Sequence, residues 1–221
     1  DSFGNQWGWK RSGEIKDWSK LVIKQSKNEK IFCKQLSGNT LWQRSESGGN
    51  IIQLPKTKPD QTKSTFHISI YSNHRNTWHP STLWIGIGCE RNTSKKLIEK
   101  SLNSFLVSNK LSSLSIAGFA TVDLKKDEKA ILEISKENNL PVRFFKPDEL
   151  SKIKIPNPSK IVLNEIGTPS VAEAACLLAA GKNSKLLKEK KVFKNPNSNK
   201  RLSGAVTIAV ALSQNQYSPS L

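Results

Sequence analysis

Residues 83–94 read L-W-I-G-I-G-C-E-R-N-T-S, an apolar run that changes abruptly to polar residues. The apolar part, residues 83–88, is typical of a buried strand. Helical spacing follows at once, with apolar or small side chains on one face and lysines on the opposite face. The residues of the apolar face are Leu97, Ile98, Ser101, Leu102 and Phe105. A buried strand followed directly by an amphipathic helix is the unit of an α/β sheet.

The same alternation continues towards the carboxyl end. Strands are predicted at residues 115–122, 142–145 and 205–212, and helices at 127–136, 147–150, 159–166 and 169–180, the last closed by Gly181. Strands that alternate with helices favour parallel pairing with helices on both faces. We therefore predict a three-layer α/β/α sandwich with a mostly parallel or mixed sheet.

The amino-terminal part of the chain does not show this alternation of strands and helices, and we predict that it forms a smaller α/β segment. Residues 1–54 carry four of the six tryptophans. Asp17 is placed to cap a helix, residues 31–33 favour a short strand, and the alternation in residues 66–71 predicts a half-buried strand.

The domain boundary is expected near Pro80, where the composition changes. Residues 55–65 are polar and proline-interrupted, which is typical of a linker or exposed loop. The predicted organisation is a partial central domain at 1–80, the α/β/α domain at 81–213 and a tail at 214–221.

Composition excludes several classes of protein. The 221 residues contain no apolar stretch near the ~20 that a bilayer demands, and the first residues lack the features of a secretory signal, so we expect a cytoplasmic protein without membrane association. Three widely spaced cysteines predict reduced thiols. The three histidines, at 67, 74 and 79, have no cysteine or acidic cluster nearby in the sequence that could complete a metal site. We therefore expect neither a metal nor a cofactor. Because methionine is absent, even at position 1, we expect a piece of a longer chain.

The net charge of +17 suggests an anionic partner. Only six of the 35 basic residues are arginine, and the lysines are spread along the chain without a recognition element. This favours a solvated surface, or attraction of a polyanionic small molecule, over specific recognition of nucleic acid.

Three motifs could carry chemistry. In the first, Gly86 to Ser94, glycines and a helix start could receive an anion, Cys89 beside Arg91 could have a lowered pKa, and Thr93 could instead simply cap the helix. A structural thiol is the favoured interpretation of Cys89. The G-I-G spacing resembles half of a dinucleotide fingerprint, but position 91 is arginine rather than the third glycine.

The other two motifs are T-V-D-L-K-K-D-E at 121–128 and G-T-P-S-V-A-E-A-A at 167–175. Asp123 could activate water, and Lys125 or Lys126 could bind a carboxylate. The structural alternative is that Asp127 caps a helix within a solvated run of charges. Ser170 and Glu173 have the spacing of a capping box, while Glu173 is also the only charge in an otherwise apolar helix.

These motifs in this order resemble the carboxy-terminal domain of the cobalamin-biosynthesis protein G family. L-P-V-R-F-F at 140–145 and A-V-T-I-A-V-A at 205–211 complete the match over residues 83–212, and W-G-W-K-R at 7–11 with G-N-T-L-W-Q at 38–43 resembles the family's central domain. The family's amino-terminal domain is absent from this chain, so the fragment alone could be inactive. In cyanobacterial members the polypeptide can continue into a precorrin methyltransferase.

The resemblance implies a cytoplasmic carbon-carbon bond hydrolase of cobalamin synthesis. Family members act on the anionic tetrapyrrole cobalt-precorrin-5A, opening its ring A lactone and releasing acetaldehyde. Such chemistry needs a base and an oxyanion donor, for which the sequence offers three acids and several donors. The candidate catalytic residues are Glu90, Asp123 and Glu173, and the candidate ligand-binding residues are Gly86, Gly88, Cys89, Arg91, Asn92, Thr93, Lys125, Lys126, Gly167, Thr168 and Ser170.

Two alternatives to the enzyme stay open, a non-catalytic corrinoid-binding or scaffolding module and a nucleic-acid binder. Oligomeric state is not predicted. Because two of the three motifs follow strands and two lead into helices, we expect all three to converge at one edge of the sheet.

Overall fold

The structure, a computed structural model, describes residues 3–44, 49–57, 65–168, 170–194 and 204–214. The chain forms two compact units. Among the described residues, the first comprises those up to Thr82 together with Lys110–Ser115, and the second comprises Leu83–Asn109 and 116–214. Most of the predicted linker (58–64) and of the predicted tail (215–221) lies outside the described residues.

The first unit is a five-stranded mixed sheet with one α-helix. Its elements are β1 (Lys10–Ser12), α1 (Ile15–Ser26), β2 (Ile31–Gln35), β3 (Ile51–Gln53), β4 (Thr65–Ile68) and β5 (Thr77–His79), with 3-10 turns at Asn5–Trp7 and Leu41–Arg44. The strand order is β1-β5-β4-β2-β3, and all pairs are parallel except β1 with β5.

Aromatic side chains form the core of this unit. Trp18 of α1 packs edge-on against Trp78, with ring centroids 5.4 Å apart, and its indole N–H donates to the Ser12 carbonyl at 2.9 Å. The predicted Asp17 cap is wrong, because α1 begins at Ile15 and Asp17 lies in its first turn. There its carboxylate pairs with Arg75 at 3.0 Å, a partner 58 residues away that local spacing could not reveal.

The predicted half-buried strand at 66–71 is also corrected. β4 ends at Ile68, and all four of its residues are buried. Even His67, which alternation assigned to an exposed face, is 2% exposed, and its Nδ1 lies 3.0 Å from the Arg75 carbonyl. Alternation failed here because both faces of the strand are covered.

The second unit contains a second five-stranded mixed sheet. Its elements are β6 (Leu83–Cys89), α2 (Lys95–Ser108), β7 (Ile116–Val122), α3 (Lys129–Asn138), β8 (Val142–Phe145), α4 (Pro147–Ser151), α5 (Lys160–Ile166), α6 (Val171–Ala180), β9 (Lys185–Lys194) and β10 (Ala205–Leu212). The strand order is β8-β7-β6-β10-β9. The first three strands are parallel, whereas β10 is antiparallel to both β6 and β9.

Helices cover both faces of this sheet. On β6, Gly86 faces α6, while Ile85 and Ile87 on the opposite face are also almost fully buried. Because successive side chains of a strand point to opposite faces, both sets can be buried only between two helical layers. Here α6 packs across one face, and α2, with α3 beside it, packs on the other. The predicted three-layer α/β/α sandwich with a mixed sheet is confirmed.

Two local features of this unit differ from the sequence prediction. Strand β9 is unpredicted, because its sequence K-L-L-K-E-K-K-V-F-K has the composition of a solvated segment. It forms an edge strand, where lysines are tolerated and discourage pairing with other chains. The acids expected in the first turn of α3 precede the helix, which begins at Lys129. No α-helix in the described ranges has the length and apolarity needed to cross a membrane.

Candidate functional site

A cleft of about 560 Å³ opens at one edge of the second sheet. The strands β6 and β7 end there, and β10, which runs in the opposite direction, begins there. The amino terminus of α6 and residues around α5 form its other walls. Ligands of open α/β sheets gather at the carboxyl ends of the parallel strands, so this cleft is the candidate site.

All three sequence motifs contribute to the cleft. The predicted site residues that line it are Gly88, Cys89, Glu90, Arg91, Lys125 and Ser170. The predicted site residues outside the lining are Gly86, Asn92, Thr93, Asp123, Lys126, Gly167, Thr168 and Glu173. The motifs therefore converge as expected, but only part of each reaches the cleft.

Several lining residues were not among the predicted site residues, although some of them lie within the quoted motifs. They are Thr121, Val122, Ser159, Glu165, Ile166, Val171, Ala172, Lys190, Val192, Ala205 and Thr207. Lys190 and Val192 belong to the unpredicted β9, and the β10 residues reach the cleft only because β10 pairs antiparallel with β6. To predict that Lys190 and Val192 line the cleft, one would have had to recognise β9 as an edge strand.

The two glycines of the first motif have different roles. A Cβ on Gly86 would lie 1.8 Å from the carbonyl oxygen of Ala172, so this glycine lets the backbone of α6 lie directly on β6. A Cβ on Gly88 would meet Thr207 at 3.6 Å and Val171 at 3.8 Å, which are ordinary contacts. The close approach expected for a ligand is therefore made at Gly86 by the protein's own helix.

The loop after β6 is shaped by its own hydrogen bonds. Asn92 adopts a left-handed conformation (φ 57°), and its N–H donates to Glu128 Oε2 at 3.3 Å. The Thr93 hydroxyl donates to the Glu90 carbonyl at 2.8 Å. Thr93 is thus not the helix cap, because Ser94 holds that position and makes no side-chain capping bond. Asn92 and Thr93 position the loop that carries Glu90.

Arg91 ties this loop to the second motif. Its guanidinium donates to Asp127 Oδ1 at 2.6 Å and to the Leu124 carbonyl at 2.7 Å. The hydrogen bond from Arg91 lowers the pKa of Asp127. Asp127 was a candidate helix cap, but Glu128 takes the N-cap position of α3, without a side-chain capping bond. Arg91 therefore spans the gap between two loops at the cleft.

Lys125 brings a buried positive charge to the cleft. The residue is 7% exposed, and its ammonium group lies 3.8 Å from the carboxylate of Glu128, which is also buried. Each of the other charged residues of the lining is more exposed than Lys125. A buried ammonium at this position favours an anionic group on whatever occupies the cleft.

Glu173 is fully buried and does not line the cleft. Its Oε1 accepts from Asn157 Nδ2 and from the Lys190 backbone N–H, both at 3.1 Å. The predicted capping box is wrong, because Ser170 is the N-cap of α6 without any side-chain capping bond, and Glu173 bonds to other segments. Asp123 is partly buried, and its Oδ1 has no hydrogen-bond partner among the described residues.

Cys89 is not an activated thiol. Burial raises its pKa to about 11, and the opposing effect of the nearby Lys125 charge is smaller. The lowered pKa considered from sequence is therefore wrong, and the structural alternative, which the sequence favoured, fits the burial of this side chain.

Comparison with known proteins identifies the family. The model for the cobalamin synthesis G C-terminus matches residues 83–211, and the chain belongs to this family. The resemblance inferred from the motifs is thus confirmed.

Two curated proteins are similar to the chain. It is 28% identical over 228 residues to a cobalt-precorrin-5A hydrolase of Priestia megaterium, covering 96% of this chain and 57% of that protein. Over 110 residues it is 29% identical to Protein CobE of Sinorhizobium sp, covering 49% of this chain and 71% of that one. The chain therefore spans little more than half of the hydrolase.

A solved structure shares the fold. A crystal structure of CobE, described as a protein from the cobalamin (vitamin B12) biosynthetic pathway, is 30% identical with a TM-score of 0.52. The match covers 60% of this chain and 91% of CobE.

Proposed function

We propose that this chain is the carboxy-terminal part of a cobalt-precorrin-5A hydrolase and that the cleft of its second unit receives the tetrapyrrole. The observation that carries the proposal is the convergence of the three family motifs on one cleft that contains the buried charge of Lys125. Similarity to the hydrolase over 96% of the chain supports the reaction.

The reaction would open the ring A lactone and release acetaldehyde. Water adds to the lactone carbonyl carbon, the ring C–O bond breaks, and a carboxylate and a hydroxyl group result. The two-carbon fragment that bears this hydroxyl then leaves as acetaldehyde: the hydroxyl loses its proton, its C–O bond becomes C=O, and the carbon–carbon bond to the macrocycle breaks. The electron pair of that bond stays on the macrocycle, which takes up a proton. A base must take the proton of the water, and a donor must stabilise the oxyanion. Of the three candidate acids we propose Glu90 as the base, because its side chain is exposed in the cleft whereas Asp123 and Glu173 do not line it.

Lys125 is the proposed donor to the oxyanion or to a substrate carboxylate. Arg91 is less available for this role, since its guanidinium already bonds to Asp127 and Leu124. Ser170 and the first amides of α6 add further donors at the same cleft, because the first N–H groups of a helix have no partner within it.

The test is incubation of the chain with cobalt-precorrin-5A, with and without the amino-terminal part of a family member, followed by acetaldehyde detection. Glu90→Gln should lower turnover about 100-fold or more, the usual range for removing a general base. The matched control is Glu133→Gln on the exposed face of α3, which should turn over normally. Equal turnover of both variants would reject Glu90 as the base.

A second candidate, a non-catalytic corrinoid-binding module, is favoured by the match to CobE, which covers 91% of that chain. Saturable binding of cobalt-precorrin-5A without acetaldehyde, even with the amino-terminal part present, would support it over hydrolysis.

We further propose that the protein acts in the cytoplasm and is fused to, or associates with, a precorrin methyltransferase. Co-purification of the chain with such an enzyme from cells that make cobalamin would test this association.

A further inference from the structure

The outer wall of the cleft is one connecting segment. Residues 152–168, here called the strap, join α4 to α6 and include the short helix α5. The strap contributes Ser159, Glu165 and Ile166 to the cleft lining. Movement of the strap would therefore change the shape of the cleft.

A polar network around Asn157 fixes the strap to the body of the unit. The Asn157 amide donates to Glu173 Oε1 at 3.1 Å and to Glu189 Oε2 at 2.8 Å. Its carbonyl accepts from Lys190 Nζ at 2.5 Å. The strap is thus joined through one residue to both α6 and β9.

Glu173 connects these elements from within. It is fully buried, and its Oε1 also receives the backbone N–H of Lys190 at 3.1 Å, so a single oxygen joins α6, β9 and the strap. Its Oε2 is buried with no hydrogen-bond partner in the described part of the chain. A buried carboxylate with one unsatisfied oxygen is costly, so the hydrogen bonds that the strap and β9 donate to Oε1 are the contacts that offset this cost.

The strap also has a conformational break beside α6. Gly167, which follows α5, has φ +80°, and a Cβ there would meet only Pro147 at 3.7 Å. Space does not require glycine at this position, but the backbone conformation does. Gly167 therefore supplies the left-handed backbone conformation that ends the strap between α5 and α6.

We infer that Glu173 is a positioning residue that acts through Asn157 to hold the strap across the cleft. It binds no substrate and transfers no proton. Its carboxylate sets the population of the closed strap and so the affinity for the ligand. This inference rests on the proposed function only for the identity of that ligand.

Kinetic variants separate this role from the others. With cobalt-precorrin-5A as substrate, Asn157→Ala and Glu173→Ala should each raise KM about tenfold, the loss expected for a hydrogen bond to a charged group, with little change in kcat. Glu173→Gln retains an acceptor oxygen and should restore most of the affinity. Asn138→Ala, which removes an asparagine that bonds within α3, is the matched control and should behave as the parent.

Amide hydrogen exchange gives a readout that needs no substrate. In Asn157→Ala and Glu173→Ala, exchange should accelerate in residues 152–168 and stay unchanged in β6 and β7. Loss of kcat in Glu173→Gln equal to that in Glu173→Ala would show a catalytic carboxylate and overturn the inference. The inference would also fail if these variants unfold more easily overall but keep the KM of the parent and its rate of amide hydrogen exchange in the strap. If the parent itself releases no acetaldehyde, the proposed hydrolysis fails, and the exchange data alone decide the role of Glu173.

Discussion

Replacement of Gly86 by alanine should destabilise the second unit severely. The added Cβ would lie 1.8 Å from the Ala172 carbonyl oxygen and 2.7 Å from its carbonyl carbon. An unstrained contact needs about 3.5 Å, so α6 would have to move by about 1.7 Å. The obstacle is helix backbone, which cannot rotate away as a side chain can. We expect a loss of about 3 kcal/mol, the upper part of the range for overpacked cores.

The control is Gly88→Ala, two residues along the same strand. Neither glycine has a positive φ, so backbone strain does not separate the two. The Gly88 Cβ would meet ordinary contacts at 3.6 Å and 3.8 Å, and stability should change by less than about 0.5 kcal/mol.

Urea unfolding followed by circular dichroism measures both variants. Parental stability of Gly86→Ala, or an equal loss in both variants, would refute the packing argument. Because Gly88 lines the cleft, its alanine variant should instead weaken ligand binding while the protein stays folded.

Three further predictions follow from charge and burial. Burial raises the pKa of Cys89 to about 11, so alkylation by iodoacetamide, followed by mass spectrometry, should be slow at pH 8 and accelerate up to about pH 11; a rate that levels off near pH 8 would contradict this. Burial lowers the pKa of His79, so as the pH falls the imidazole is protonated in the unfolded chain before it is protonated in the folded one. The free energy of unfolding should therefore be constant above about pH 6.5 and decrease as the pH drops below that value. Urea unfolding at pH 7.5 and 5.5 should show that the free energy of unfolding drops less in His79→Asn than in the parent protein. An equal drop in the two proteins would reject His79 as the source of this pH dependence. Titration with unrelated DNA duplexes should show weak, salt-sensitive binding that does not depend on sequence, and sub-micromolar preference for one duplex at physiological salt would overturn the small-molecule interpretation of the +17 charge.

Local sequence patterns were sufficient to predict the elements whose formation depends on neighbouring residues. The apolar run at 83–88 and the helical spacing after it predicted β6 and α2, and the same rhythm predicted the layered fold. The convergence of the three motifs also followed from sequence, because parallel strands end at a common edge. The family could be recognised from the same motifs.

Other features depended on partners distant in sequence. The lysine-rich strand β9 exists because β10 pairs with it, and Asn157 and Lys190 bind Glu173 from 16 and 17 residues away. Arg91 likewise finds Asp127 at a separation of 36 residues. The sequence by itself determined most strands and helices of the second unit, with β9 the exception, since their periodicity reflects burial of one face or both. Only the tertiary structure decided which side chains face the cleft and which hold its walls, because hydrogen bonds and close packing depend on distances that the folded chain alone creates.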